Sequence, residues 1–245
     1  MTYVMSDIHG YMSLFNSILK QINLTDEDVL YILGDVIDRG PDGIKILLKI
    51  MRSKNIFMIL GNHEYMMLKY YTGDRWERYR SLSVWASNGC KPTVDQFGYY
   101  AESTQNRILK YLRKLPVERR IEINKREYLL CHSQPSINSF KNNPMKKFNI
   151  GINYESEIEF SVWHRERIND ENFKNLTIIH GHTPVFNSSN IIPLENKIDI
   201  TGVQINLDCG CAAINYHNNK YNGRLGCLRL EDMKEYYSDT KPALE

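Results

Sequence analysis

The sequence lacks several features that would assign it to particular classes of protein. No apolar run approaches the roughly 18 residues that a transmembrane helix needs. Lysine and arginine total 31 against 29 for aspartate and glutamate, so no excess charge of one sign favours nucleic acid or an anionic membrane as a partner. Residues 3–6 already have the composition of a strand and leave no room for a signal peptide, so we expect a cytoplasmic protein.

Cysteine is scarce and shows no pairing pattern. The five cysteines are scattered and include no C-x2-C pair, which argues against a disulfide framework and against a zinc ribbon. Cys209 and Cys211 could act as a redox pair or a soft metal site. Because no second motif accompanies them, we interpret them as buried, reduced thiols.

The first third of the chain alternates short β-rich runs with segments of helical periodicity. This alternation predicts parallel β-α-β units, in which the loops at the carboxyl ends of the strands carry function. The predicted strands are 3–6, 29–33 and 56–60, and the predicted helices are 11–22, 43–52 and 64–71.

The remainder of the chain has a different pattern. Residues 73–116 are rich in aromatic and charged side chains and predict a small helical cap, inserted into a single domain that spans 1–245. From Val117 onward the chain is β-rich, which predicts a second, partly antiparallel sheet in an α/β fold. Its expected parts are a hairpin turning at Asn124-Lys125, strands at 129–131, 177–179, 203–207, 212–216 and 226–230, a turn at Asn218-Asn219, and a surface loop at 138–158.

Three polar motifs follow the first three predicted strands. They read Asp7-Ile8-His9-Gly10, Gly34-Asp35-Val36-Ile37-Asp38-Arg39-Gly40 and Gly61-Asn62-His63-Glu64. Because the carboxyl ends of parallel strands meet at one edge of a sheet, we expect the motifs to form one site. Asp7 and His9 are two positions apart at a strand end, so the pleat predicts that they point to the same side.

These residue types are suited to a pair of metal ions. Asp7 and His9 would bind one ion, and the Asp35 carboxylate has enough charge and lone pairs to bridge two. The second ion would be completed by Asn62, His132 and His182. A mixed set of oxygen and nitrogen ligands suits Mn, Fe or Zn, and we expect Mn. Such a pair can lower the pKa of a bound water to about 7 and direct the hydroxide at phosphorus.

Other residues of the motifs fit the remaining steps of phosphoryl transfer. His63 is placed to protonate a leaving oxygen, and Asp38 could orient it. Arg39 offers a planar fork for two phosphoryl oxygens. Asp208 could hydrogen-bond a ligand histidine or be a plain turn residue, and Glu64 could simply favour the amino terminus of a helix.

The order and spacing of these motifs resemble the calcineurin-like metallophosphoesterases. Within them the resemblance is to the phosphoprotein phosphatase family, in its bacterial and phage-type serine/threonine phosphatase branch. It implies two stacked mixed β-sheets flanked by helices, with two metals between the sheet edges. It also implies that His182 rather than His180 is a ligand, and that Arg165, in a W-x-R context, is a second phosphate-binding arginine.

The resemblance implies hydrolysis of phosphoserine or phosphothreonine in proteins by a hydroxide that bridges the two metals. The expected partner is a phosphorylated protein or a small phosphoester, with no nucleic acid and no membrane. An alternative is a symmetrical diadenosine tetraphosphate hydrolase, although that group tends to lack the aspartate found here at Asp38 and to have G-N-H-D in place of the motif ending at Glu64. A catalytically silent metal-binding scaffold is a weaker alternative, because it would be expected to have lost ligands.

Overall fold

The computed structural model describes residues 1–136, 139, 156–165, 173, 175–188, 196–215 and 221–239. The predicted turn at 218–219 and most of the predicted surface loop at 138–158 lie outside this part of the chain. In the described part, no helix has the length and apolar character needed to cross a membrane.

In the described part of the chain, ten strands form two five-stranded sheets. In chain order they are β1 (Thr2–Met5), β2 (Val29–Ile32), β3 (Ile56–Met58), β4 (Glu118–Ile123), β5 (Arg126–Cys131), β6 (Leu176–His180), β7 (Asp199–Thr201), β8 (Gln204–Asn206), β9 (Gly226–Arg229) and β10 (Lys234–Tyr237). The first sheet has the order β10-β9-β1-β2-β3, and the second has the order β4-β5-β6-β8-β7. Both are mixed: β1, β2 and β3 run parallel in the first, and β5, β6 and β8 run parallel in the second.

Seven α-helices are described. They are α1 (Met12–Ile22), α2 (Gly43–Arg52), α3 (Asn62–Thr72), α4 (Arg75–Ser87), α5 (Lys91–Tyr99), α6 (Glu102–Leu112) and α7 (Glu157–Trp163). Helices α4 to α6 fall within the predicted cap. Helix α7 begins within the segment predicted as a surface loop, where the Ser156 hydroxyl accepts a hydrogen bond from the Glu159 backbone amide and caps the helix.

Alternating side chains of β1 show how the layers pack. Tyr3 and Met5 join the core between the first sheet and the helices, whereas Val4 joins a second core with residues of both sheets. Leu130 and Ile179 of the second sheet belong to that shared core. Since successive strand residues point to opposite faces, the first sheet lies between the helices and the second sheet. The predicted α/β fold of two stacked mixed sheets flanked by helices is therefore confirmed.

Several further details differ from the predictions. Residues 226–230 were expected in the second sheet, but β9 pairs antiparallel with β1 and extends the first. Strands β7 and β10 were not predicted. The expected strand at 212–216 is instead a 3-10 helix over Cys211–Asn215, which begins after Gly210 turns with φ of 76° and its carbonyl accepts from Ala213. Small alanines favour such a turn over a strand.

Candidate metal centre

Six strand ends supply the candidate site. The first sheet contributes residues after β1, β2 and β3, and the second contributes residues after β5, β6 and β8. The pleat did not bring Asp7 and His9 together as predicted, because β1 ends at Met5. Instead Asp7 and His9 adopt left-handed backbone conformations with φ of 55° and 48°, and Asp35 does the same with φ of 53°. Such conformations are uncommon outside glycine and concentrate at functional sites.

Two glycines allow the loops of the site to approach closely. A Cβ atom on Gly34 would lie 2.5 Å from the Gly61 Cα atom and 3.0 Å from His132 Nδ1. A Cβ atom on Gly61 would lie 2.3 Å from Asp35 Oδ1. Any larger residue at either position would therefore push the strand ends apart.

Asp35 lies at the centre of the group. Its Oδ1 accepts a hydrogen bond of 3.1 Å from the His63 backbone amide at the start of α3. Its Oδ2 lies 3.4 Å from His132 Nε2, 3.7 Å from His9 Nε2 and 3.8 Å from His63 Nε2. One oxygen is thus fixed by a helix terminus, and the other faces three imidazoles, as a bridging ligand would.

Three histidines of the candidate site have one ring nitrogen hydrogen-bonded to a backbone carbonyl. His9 Nδ1 lies 3.1 Å from the carbonyl oxygen of Ile37, and His132 Nδ1 lies 2.6 Å from that of Leu33. His182 Nε2 lies 3.2 Å from the Trp163 carbonyl oxygen. A carbonyl only accepts, so in each pair the histidine nitrogen carries the proton and the other nitrogen of a neutral ring presents a lone pair.

The lone pairs of His132 and His182 face an oxygen atom that also carries lone pairs. Asn62 Oδ1 lies 2.9 Å from His132 Nε2 and 3.0 Å from His182 Nδ1. His9 Nε2 lies 3.9 Å from Asp7 Oδ1 and also accepts from Arg39 Nη1 at 3.3 Å. Acceptors gathered in this way need a proton or a cation between them. The donor set of carboxylates, imidazoles and an amide oxygen fits divalent transition metals, so the residues fit the expected ions.

The geometry divides the donors into two groups that share Asp35. In each group the ligand atoms lie within 4.8 Å of one another, and all the residues are buried: one group is His9, Asp35 and His63, and the other is Asp35, His132 and His182. The second agrees with the predicted second ion. The first contains His63 in addition to the predicted His9, because His63 Nε2 also faces Asp35.

Charges in the centre offset the cost of burial. Burial opposes ionisation of Asp35, but His132 and His63 hold the pKa of its carboxyl well below the usual value. Burial likewise disfavours a charged His132, yet Asp35 raises the pKa of that imidazole to about 9. Burial, together with the positive charge of Arg39, lowers the pKa of His9 well below its usual value. Without a metal, Asp35 therefore favours a second proton on His132, on the nitrogen that faces Asn62 and Asp35.

Asp7 is held by neighbours from two strand ends. Its Oδ2 accepts hydrogen bonds from the Ser6 hydroxyl and, at 3.0 Å, from the His182 backbone amide. Asp208 is buried as well, and its Oδ1 accepts from the Gly210 amide at 2.9 Å. Burial and the charge of Asp7 raise the pKa of Asp208 well above its usual value. One interpretation of the sequence was that Asp208 hydrogen-bonds a ligand histidine. Among the described residues, Asp208 forms no such bond.

His63 differs from the other histidines because a carboxylate holds it. His63 Nδ1 lies 2.6 Å from Asp38 Oδ2, so the imidazole donates from Nδ1 and turns Nε2 toward the centre. Arg39 spans two imidazoles, with Nη2 at 3.2 Å from His63 Nε2 and Nη1 at 3.3 Å from His9 Nε2. The predicted pairing of His63 with Asp38 is thus present, and Arg39 lies beside it.

Glu64 has a larger part in the site than its sequence position indicated. Its side chain is fully buried, and its two oxygens accept from the backbone amides of Asp35, Val36, Ile37 and Gly61. Burial and the charge of Asp35 raise the pKa of Glu64 to about 7. The carboxylate therefore joins the second and third motifs. The glutamate of the third motif was visible in the sequence, but its contact with a loop 27 to 29 residues earlier was not.

Arg165 lies at the margin of the group. It is exposed, and its Nη1 is 3.4 Å from Thr183 Oγ1. Its positive charge still contributes to lowering the pKa of His182, after burial and His132. Arg165 is therefore near the second metal group, whereas Arg39 contacts the first.

Comparison with known proteins identifies the family. The sequence pattern described as calcineurin-like phosphoesterase matches residues 2–205. The chain belongs to the calcineurin-like phosphoesterase family. This calcineurin-like phosphoesterase is therefore a hydrolase, of a family that depends on two metals.

The proteins that resemble this phosphoesterase carry different names. A symmetrical bis(5'-nucleosyl)-tetraphosphatase from Buchnera aphidicola subsp. Schizaphis graminum is 25% identical over 96% of both chains. One of the same name from Wigglesworthia glossinidia brevipalpis is 48% identical over 71 residues, which are 28% of this chain and only 26% of that relative. A protein serine/threonine phosphatase from Saccharomyces cerevisiae superposes with a TM-score of 0.56 at 16% identity, covering 100% of this chain and 80% of the other. That last likeness shows a shared fold alone.

Proposed function

We propose that this phosphoesterase is a metal-dependent phosphomonoesterase that hydrolyses phosphoserine and phosphothreonine in proteins. The contact of 2.6 Å between His63 and Asp38 beside the metal ligands is the observation that carries this proposal. Two divalent ions, with Mn expected and Fe or Zn as alternatives, would supply a water of lowered pKa and polarise the phosphoryl group. We assign them to Asp7, His9, Asp35, Asn62, His132 and His182.

The cationic side chains support binding of a phosphoryl group. The Arg39 guanidinium is planar and donates in a fork, which matches two phosphoryl oxygens. Its two terminal nitrogens lie between His9 and His63, where a phosphoryl group next to the first metal group would be within reach. We assign Arg165, near His182, and the Asn62 amide to the other phosphoryl oxygens.

The acid role of His63 is what links the site to serine and threonine esters. An alkoxide is a strongly basic leaving group, so its departure requires a proton. We assign this proton to Nε2 of His63, which faces the centre while Nδ1 donates to Asp38. When the imidazole is protonated it can give the proton to the alkoxide oxygen, and Asp38 stabilises the cation before transfer.

A second candidate is symmetrical hydrolysis of a dinucleoside tetraphosphate, which the printed names of the Buchnera and Wigglesworthia relatives favour. Each product of that reaction would be a nucleoside diphosphate, a much less basic leaving group that needs little protonation. The buried carboxylate behind His63 supports the first candidate for this reason.

The two candidates are distinguished by measuring both reactions with one preparation. Mn-loaded protein would be assayed on a phosphothreonine peptide and on diadenosine tetraphosphate, with Asp35→Asn as the inactive control and Asp26→Asn, an exposed aspartate, as the matched control. We expect faster release of phosphate from the peptide. Faster formation of ADP from the dinucleotide would move the chain to the second candidate, and no metal-dependent turnover of either substrate would contradict both.

A further inference from the structure

Trp85 of helix α4 occupies an unusual place for a residue of the predicted cap. Its side chain is fully buried, whereas Trp76 and Tyr79 of the same helix are 73% and 77% exposed. The indole ring packs against Tyr70 and Tyr71 of α3, with ring centroids 5.6 and 6.0 Å apart. A large aromatic side chain is therefore fixed between α4 and the helix that begins at the metal ligands.

The indole nitrogen contacts the same oxygen that holds His63. Trp85 Nε1 donates to Asp38 Oδ2 at 2.6 Å, and His63 Nδ1 lies 2.6 Å from that oxygen. Asp38 Oδ1 is buried and has no hydrogen-bond partner among the described residues. One oxygen of the carboxylate thus receives both donors, and the indole and the imidazole together fix which oxygen faces His63.

The same helical segment also holds the backbone of Asp38. Thr93 Oγ1 of α5 accepts from the Asp38 amide at 2.9 Å, and the Gly89 carbonyl accepts from the Arg39 amide at 3.0 Å. Asp38 and Arg39 both have left-handed backbones, with φ of 70° and 68°. Contacts from α4, α5 and the turn between them therefore maintain a conformation that is unfavourable in isolation.

We infer that Trp85 is a positioning residue, which acts through Asp38 to orient His63 as the acid of the proposed hydrolysis. An indole N–H can only donate, so it holds the carboxylate as an acceptor and leaves His63 to donate from Nδ1. That arrangement keeps Nε2 toward the leaving oxygen. Without the indole, the Asp38 carboxylate could rotate and present its other oxygen, Oδ1, to His63. The imidazole would then lose its fixed direction. This inference rests on the proposed function, because it requires His63 to act as an acid.

The test compares Trp85→Phe, which keeps an aromatic ring but removes the donor, with Trp76→Phe on the exposed face of the same helix. Both would be assayed on p-nitrophenyl phosphate, whose leaving group needs little protonation, and on a phosphothreonine peptide. We expect Trp85→Phe to lower kcat on the peptide about tenfold, a part of the roughly 10²–10⁴-fold that general acid catalysis supplies, with little change on p-nitrophenyl phosphate. KM, metal content and the Trp76→Phe variant should stay close to wild type.

A double variant separates positioning from a general structural effect. If Trp85 acts only through His63, then Trp85→Phe should not slow a protein that already carries His63→Asn. Equal losses on both substrates, or a further loss in the double variant, would overturn the inference. The single His63→Asn variant separates this failure from failure of the proposed function: if His63→Asn itself affects both substrates equally, the acid role of His63 is wrong.

A spectroscopic measurement covers the case in which Trp85→Phe does not fold. The indole N–H of Trp85 should give a proton resonance shifted downfield by its short bond to a carboxylate. We expect that resonance to move upfield in Asp38→Asn and to be unchanged in Glu122→Gln, a variant of an exposed residue on β4. An unchanged resonance in Asp38→Asn would overturn the inference.

Discussion

The candidate site holds its imidazoles in two different ways. On the side of the first sheet, a buried carboxylate accepts from His63, although the Ile37 carbonyl accepts from His9. On the side of the second sheet, the backbone carbonyls of Leu33 and Trp163 accept from His132 and His182. A carboxylate partner supports an imidazole that gains and loses a proton, whereas a carbonyl partner fixes the tautomer of a neutral ligand. Histidine is thus suited to two tasks, and the group that accepts from one of its ring nitrogens decides between them.

The largest expected effect comes from replacing one histidine on each side with asparagine. His132→Asn should lower the metal content and reduce turnover on every substrate by at least about 10³-fold, because the proposed second metal would lose a ligand. His63→Asn should keep the metal content and slow the phosphothreonine peptide by about 10²–10⁴-fold, the usual contribution of a general acid, with a much smaller loss on p-nitrophenyl phosphate. Metal content after dialysis and kcat on both substrates would be measured.

The two variants serve as controls for each other, because each replaces one buried imidazole with the same amide. If His63→Asn also lost metal, the group formed by His9, Asp35 and His63 would be the true first metal site and the acid would have to be another residue. If His132→Asn kept both ions, His132, which donates to a backbone carbonyl, would not be a metal ligand. Either result would remove the contrast between the two sides.

The sequence predicted which residues gather at the site better than it predicted how they do so. The three motifs were correctly expected to meet, because they follow parallel strands whose carboxyl ends share an edge. The predicted geometry was wrong for Asp7 and His9. Left-handed backbone conformations, and not the pleat of a strand, direct their side chains into the site. Local residue types do not reveal such a conformation, because contacts from elsewhere in the fold stabilise it.

Long-range contacts account for the other differences. The sequence indicated Glu64 only as a residue that favours a helix terminus. The fold shows that its side chain accepts hydrogen bonds from backbone amides of the second motif. Trp85 lies in the segment predicted as a helical cap, but the partner of its indole nitrogen lies 47 residues earlier in the chain. The strand at 226–230 was expected in the wrong sheet because pairing with β1 spans more than 200 residues, beyond what periodicity can indicate.

The second expected effect concerns pH and metal affinity. Burial opposes a charged His132, but Asp35 raises its pKa to about 9, so at neutral pH an incoming metal must displace one proton. The apparent metal affinity should therefore rise about tenfold for each unit of pH between pH 7 and 8. Competition with a chelator of known pH dependence would measure it. An affinity that did not change over this interval would show that His132 is already neutral in the metal-free protein.

The smallest expected effect concerns Glu64, the buried carboxylate that accepts hydrogen bonds from backbone amides on the side of the first sheet. Glu64→Gln keeps the size of the side chain and one acceptor oxygen but loses the charge that four backbone amides share. We expect the free energy of unfolding to fall by about 1–3 kcal/mol, because buried amides lose an acceptor, and turnover to fall only severalfold. Chemical denaturation would measure the first and steady-state kinetics the second, with Glu122→Gln, on the surface, as the matched control. The loop held by Glu64 carries Asp35, so the loss of turnover should be accompanied by weaker metal binding. Because Thr93 separately holds the backbone amide of Asp38, the ratio between the two substrates should stay unchanged. A changed ratio would mean that Glu64 also affects the acid, and that the two sides are less independent than their contacts indicate.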